Sequence, residues 1–147
     1  MSHFKYFGQK LYVENLSIDN LAKKNRTPFY LYSENQIKEN YLNLAENFKK
    51  VNPLICFAAK ANTNLSILKI LGKLGAGVDV VSGGELLKAI KSGINPNKIV
   101  FSGVGKTEEE LKLAIRKKIL LINIESESEA KLINNIGKKS NIKISVG

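Results

Sequence analysis

Leu54-Ile55-Cys56-Phe57-Ala58-Ala59 is an unbroken apolar run that ends on Lys60. It is too short for a helix, and residues 65–73 behind it carry a helical pattern. The same pairing recurs down the chain: 78–81 then 84–91, 98–102 then 108–117, 119–124 then 127–136, with 142–146 as a fifth strand. Near-continuous apolar strands are expected where a parallel sheet is covered by helices. The helix boundaries agree with this. Thr107 stands before Glu108-Glu109-Glu110, which places a cap and three carboxylates at the positive end of a helix. Ser126 and Glu129 have capping-box spacing. Gly72, Gly75, Gly77, Gly93 and Gly137 fall at or near helix ends, where a left-handed residue is often required, and Asn95-Pro96-Asn97 reads as a turn. The fold class is α/β. Periodicity alone leaves two architectures open, a doubly wound sheet and the first part of a (β/α)8 barrel.

Ahead of Leu54 the rhythm changes. Residues 6–13 read as a strand or hairpin, 17–24 as a short helix, Phe29-Tyr30-Leu31-Tyr32 as a strand, and 33–50 as a long amphipathic helix capped by Ser33. This divides the chain into an amino-terminal strand and helix segment, residues 1–32, that goes with a β-rich module, and a (β/α) body, residues 33–147.

Composition narrows the function classes. The chain has 147 residues, well short of a complete barrel, and 44% of them are hydrophobic, so a genuine core is expected. No stretch approaches the roughly 20 apolar residues that span a bilayer. Met1-Ser2-His3-Phe4-Lys5 has no long apolar run behind a basic head, so no secretory leader is expected. One cysteine, Cys56, rules out an internal disulfide and fits a reducing, cytoplasmic setting. The net charge of +10 is spread in ones and twos, as at Lys23-Lys24, Lys49-Lys50, Lys117-Lys118 and Lys138-Lys139, without interleaved aromatics. That is a solvated lysine-rich surface rather than a nucleic-acid footprint. Neither a nucleic-acid partner, a membrane nor a metal site is expected.

Lys60 has two readings. Sites in alternating βα folds form at the carboxyl ends of strands. By strand parity, Lys60, Ala58 and Cys56 share one face, while Ala59, Phe57 and Ile55 face the covering helices. A small Ala58 beneath a long, partly desolvated amine leaves room for a flat ring and frees the amine to attack a carbonyl. The other reading is a lysine snorkelling from a strand end into water.

The surrounding segments decide between them. Cys56-Phe57-Ala58-Ala59-Lys60-Ala61-Asn62 resembles the cofactor-lysine motif of the pyridoxal-phosphate-dependent decarboxylases that act on diaminopimelate, ornithine and arginine. Thr27 to Tyr32 is similar to that family ahead of it, and behind it Gly77 to Leu86, Ile99 to Thr107 and Ile122 to Ser126 follow in the same order and at similar spacing. Ser82-Gly83-Gly84-Glu85 and Gly103-Val104-Gly105-Lys106-Thr107 point to the diaminopimelate branch. The resemblance implies a (β/α)8 barrel of the alanine racemase-like kind joined to a carboxyl-terminal β domain, a homodimer at full length, and pyridoxal 5'-phosphate as cofactor. The implied reaction is that of a carbon–carbon lyase: meso-2,6-diaminopimelate loses carbon dioxide to give L-lysine, the last step of lysine biosynthesis. Decarboxylation of ornithine or arginine, and a pyridoxal-phosphate-binding remnant without catalysis, are the alternatives.

Carried over by position, Lys60 matches the Schiff-base lysine, Ala58 a residue lining the cofactor, and Asp79 and Glu85 acids near its end of the second strand. Asp79 by parity faces inward and needs a partner, for which Lys60 is one candidate. Glu85 reads equally well as a first-turn helix acid. Phe57 and Ala59 replace a more usual tyrosine and valine, both on the outward face. The resemblance further implies that the acid beside the pyridine nitrogen, the phosphate cradle and the cross-dimer residues lie beyond Gly147, which would leave these residues inactive by themselves. Gly103-Val104-Gly105-Lys106-Thr107 has only a superficial likeness to a nucleotide phosphate loop, because the required glycine five residues before Gly105 is Val100.

Overall fold

The structure, a computed structural model, describes residues 3–147. Met1 and Ser2, part of the opening read above for a leader, lie outside them. The chain divides into two compact units, one ending at Lys50 and the other Val51–Gly147.

In the first unit, β1 (Phe4–Phe7) and β2 (Lys10–Val13) form the expected hairpin, and β3 (Leu16–Ser17) extends the antiparallel sheet. Helix α1 (Ile18–Lys24) follows, then α2 (Glu34–Phe48), whose cap Ser33 accepts the Gln36 N–H at 3.0 Å. Glu14 ties the start of α2 to the sheet, accepting from Ser33 Oγ at 2.7 Å and from the Asn35 N–H at 3.0 Å. Those two hydrogen bonds, the backbone one first, hold the Glu14 carboxyl below its ordinary range. The strand expected at Phe29-Tyr30-Leu31-Tyr32 does not form. Its apolar and aromatic residues have the composition of a strand, but no neighbouring strand pairs with it, and Tyr30 is 91% exposed.

The second unit is the βα alternation. Four strands, β4 (Cys56–Ala58), β5 (Gly77–Val80), β6 (Ile99–Phe101) and β7 (Leu121–Ile122), lie parallel and in sequential order. Helices α3 (Leu65–Lys73), α4 (Gly83–Lys91), α5 (Glu108–Lys117) and α6 (Glu127–Ser140) follow them in turn. A doubly wound sheet reverses its strand order at a switch point. Here each new strand adds beside the last, and that settles the choice in favour of barrel-type winding. The expected fifth strand is present as one parallel bridge, Ile122 to Val146.

A single core lies between sheet and helices. Val78, Val80, Ile99, Phe101 and Ile122 from the strands meet Leu68, Leu86, Leu111, Ala114 and Ile133 from the helices, with Ala59 fully buried among them and Phe57 packed against it. Strand parity therefore holds as expected: Phe57 and Ala59 face the helices, and Cys56, Ala58, Gly77, Asp79, Val100 and Leu121 line the opposite, inner face.

Of the glycines assigned to helix ends, Gly75 and Gly93 take the left-handed conformation, and α5 and α6 end instead on left-handed Lys118 and Asn141. Gly77 has another reason to be glycine. A Cβ there would stand 2.4 Å from the Lys98 carbonyl oxygen and 2.7 Å from Cys56 Sγ, so only a bare backbone lets β5 pass.

Candidate functional site at the carboxyl rim of the sheet

The inner face ends in a row of polar side chains, one from each strand. Lys60 leaves β4 on a single 3-10 turn, Ala59–Ala61, rather than from the strand itself. It is exposed and makes no hydrogen bond or ion pair among the described residues. The partial desolvation expected of it is not met among the described residues. Ala58, half-buried, sits on the inner face in register with Asp79.

Asp79 is half-buried, and its partner is not Lys60. Ser102 Oγ, one residue beyond β6, donates to Asp79 Oδ1 at 2.5 Å. Asn123 Nδ2, one residue beyond β7, donates in turn to Ser102 Oγ at 3.0 Å. Cys56 lies on the same face, its thiol pushed up by burial and, to a smaller extent, by the negative charge of Asp79.

Glu85 serves the helix. Its Oε2 accepts the Val81 N–H at 2.9 Å while Ser82 Oγ accepts the Glu85 N–H at 3.2 Å, so the first-turn reading describes its contacts. The device repeats. Thr107 and Glu110 form a complete capping box, and the other carboxylate oxygen of Glu110 accepts the Gly83 N–H of the preceding unit at 2.7 Å. These backbone bonds, the Gly83 one first, hold the Glu110 carboxyl below its ordinary range. Glu129 caps through its N–H to Ser126 Oγ, and its Oε2 accepts from the Glu125 N–H at 2.8 Å rather than from Ser126.

The other oxygen of Glu129 reaches back to Lys106. That pair is at 2.9 Å with side chains only 1% and 9% exposed, and Lys106 Nζ also donates to the Gly103 carbonyl at 2.6 Å. Lys106, the residue that gave the loop its phosphate-binding look, is thus a buried internal cation. Among the described residues no three His, Cys, Asp or Glu side chains gather as metal ligands would.

Sequence reading singled out Lys60, Ala58 and Asp79; the strand register puts Ala58 and Asp79 on one face, and Lys60 stands on the turn just beyond it. It missed Ser102 and Asn123, although both were legible as the polar residue two past an inward Val100 and an inward Leu121. It also missed the Lys106–Glu129 pair, for which no local pattern gives a signal.

A primary amine free of internal partners at a strand end, a methyl-sized side chain on the same face, and a carboxylate with one oxygen uncommitted suit a flat carbonyl-bearing cofactor that forms a carbon–nitrogen bond to lysine. Comparison with known proteins agrees. Residues 34–147 match the pyridoxal binding domain of the pyridoxal-dependent decarboxylases. Diaminopimelate decarboxylase from Aquifex aeolicus is 47% identical over 98% of this chain and 35% of its own length. The same enzyme from Helicobacter pylori strain J99 is 50% identical over 85% of this chain and 31% of its own. Among solved structures, diaminopimelate decarboxylase from M. jannaschii in complex with L-lysine superposes with a TM-score of 0.94 at 39% identity, covering 98% of this chain and 35% of that one. The chain spans about a third of the length of the relatives it matches.

Proposed function

The chain belongs to the pyridoxal-dependent decarboxylase family, and from that membership we propose that the protein decarboxylates meso-2,6-diaminopimelate to L-lysine and carbon dioxide with pyridoxal 5'-phosphate bound at Lys60. The observation that carries this reading is Lys60 itself. It stands just past the carboxyl end of the first parallel strand, without a hydrogen bond or ion pair among the described residues and two residues past the inward Ala58, in a chain whose similar relatives are diaminopimelate decarboxylases.

Each residue has a distinct task. Lys60 would hold the cofactor covalently through its amine and could take or return a proton at Nζ. Ala58 keeps that part of the inner face free of a bulky side chain. Asp79 presents a carboxylate to that face with Oδ1 already held by Ser102. Glu85 stands nearby as the second acid, its Oε2 engaged by the Val81 N–H. When bound, pyridoxal phosphate supplies an electron sink for the pair left behind as carbon dioxide departs. A homodimer in the cytoplasm, acting on a small amino acid, completes the reading.

The test has two parts. Incubation with pyridoxal phosphate and borohydride should label Lys60, with no label on that peptide in Lys60→Ala; label spread evenly over surface lysines would sink the assignment. The full-length protein, offered diaminopimelate, ornithine and arginine separately, should release carbon dioxide from diaminopimelate. Release from ornithine alone would overturn the substrate.

A further inference from the structure

We propose that Ser102 and Asn123 are positioning residues for Asp79, fixing which oxygen of its carboxylate is offered to the inner face. The observation is a one-way chain of hydrogen bonds across three adjacent strands, from Asn123 Nδ2 to Ser102 Oγ at 3.0 Å and from Ser102 Oγ to Asp79 Oδ1 at 2.5 Å. A serine hydroxyl has one proton and can give it in one direction only. The amide of Asn123 is a donor here and occupies an acceptor site of Ser102, so the hydroxyl proton goes to Asp79.

The consequence for Asp79 is directional. Rotation of a carboxylate about its last torsion is soft, without sharp wells. A short bond from Ser102 removes that freedom and commits Oδ1, leaving Oδ2, which accepts nothing among the described residues, as the oxygen presented to the site. The next inward residues on the same strands, Val100 and Leu121, are apolar, so the chain is a local insertion of polarity. Half-buried polar groups in such a place are costly unless paired, and each of these three is paired to the next. The other titratable groups of this rim are Cys56 and Lys60 from β4 and its turn, Glu85, held by the Val81 N–H, Lys88, bound to Thr63, Glu110, held by the Gly83 N–H, Glu125, whose Oε1 accepts the Gly103 N–H at 3.3 Å, and the Lys106–Glu129 pair. None of them bonds to the chain.

The inference rests on the proposed cofactor reading, in which the Asp79 carboxylate lies on the face that would carry the cofactor. Its test is spectroscopic and needs no turnover. In the full-length protein loaded with pyridoxal phosphate, the visible absorption of the bound cofactor is followed against pH. Ser102→Ala should shift the midpoint by about one pH unit, the size of one charge-assisted hydrogen bond. Asn123→Ala should shift it by less. The double variant should match Ser102→Ala, because Asn123 acts through Ser102. Ser102→Thr, which keeps the hydroxyl, should retain the wild-type midpoint. Asn123→Ala leaves the hydroxyl in place and carries the test should Ser102→Ala fail to fold. A midpoint that is unmoved in the alanine variants, or shifts that add, overturns the positioning role. Borohydride labelling of the wild-type protein separates the two ideas: label at Lys60 with an unmoved midpoint rejects the positioning role alone, and label absent from Lys60 rejects the cofactor reading beneath it.

Discussion

Removing the cation of the buried Lys106–Glu129 pair tests how the rim is held. Lys106 Nζ gives one hydrogen bond to Glu129 Oε1 at 2.9 Å and one to the Gly103 carbonyl at 2.6 Å, and stands 5.9 Å from the centre of the fully buried Phe101 ring. Lys106→Met keeps most of the apolar stem and deletes both bonds. Glu129 then keeps its Oε2 bond to the Glu125 N–H, but Oε1 is left as a buried, uncompensated charge. Breaking a buried pair from one side costs about 3–5 kcal/mol, and with only two bonds lost we expect about 3 kcal/mol. Glu129→Gln in the same background removes the stranded charge while an amide oxygen still accepts from Glu125, so the double variant should recover about 1–2 kcal/mol of the loss. The assay is urea unfolding of the full-length protein at unchanged slope, fitted for all four members of the cycle. A Lys106→Met cost below about 1 kcal/mol, or strictly additive costs, would refute the view that the two charges depend on each other.

Two further outcomes follow from single contacts. Gly77→Ala should destabilise by about 1–3 kcal/mol or more, because its Cβ meets the Lys98 carbonyl oxygen and Cys56 Sγ with no room to relax; a thermal midpoint unchanged from wild type would contradict this. Glu110, held below its ordinary range by the Gly83 and Thr107 N–H groups, contributes stability that is present above its unfolded value and lost as pH falls through the lower folded one. Glu110→Gln should therefore shrink the acid-side loss of stability in that window and leave the neutral-to-basic side parallel to wild type, which unfolding titrations at several pH values check.

Much of this was legible because βα units announce themselves twice, in the strand and in the helix start. Residues 65–73 and 108–117 appear as helices with the expected bounds, and strand parity put Ala58 and Asp79 on the face opposite the helices, as the register has them. The failures share a cause. Phe29 to Tyr32 has strand composition, but a strand needs a partner edge, and that is supplied from elsewhere in the chain or not at all. The Lys106–Glu129 pair leaves no local trace because its two charges lie 23 residues apart in the sequence. The exposure of Lys60 depended on where β4 gives way to a 3-10 turn, and strand ends are set by hydrogen bonding rather than by residue type.

The rim bonds also carry a clock. Lys88 of α4 donates to Thr63 Oγ1 in the turn after Lys60, Glu110 of α5 accepts from Gly83 at the head of α4, and Glu129 of α6 accepts from Lys106 in the turn before α5. Every clasp points backward by one unit, across 25, 27 and 23 residues. A ribosome adding about 5–20 residues per second separates the synthesis of the two halves of each clasp by roughly 1–5 seconds. The two halves of the clasp just behind Lys60 are therefore the first to be synthesised.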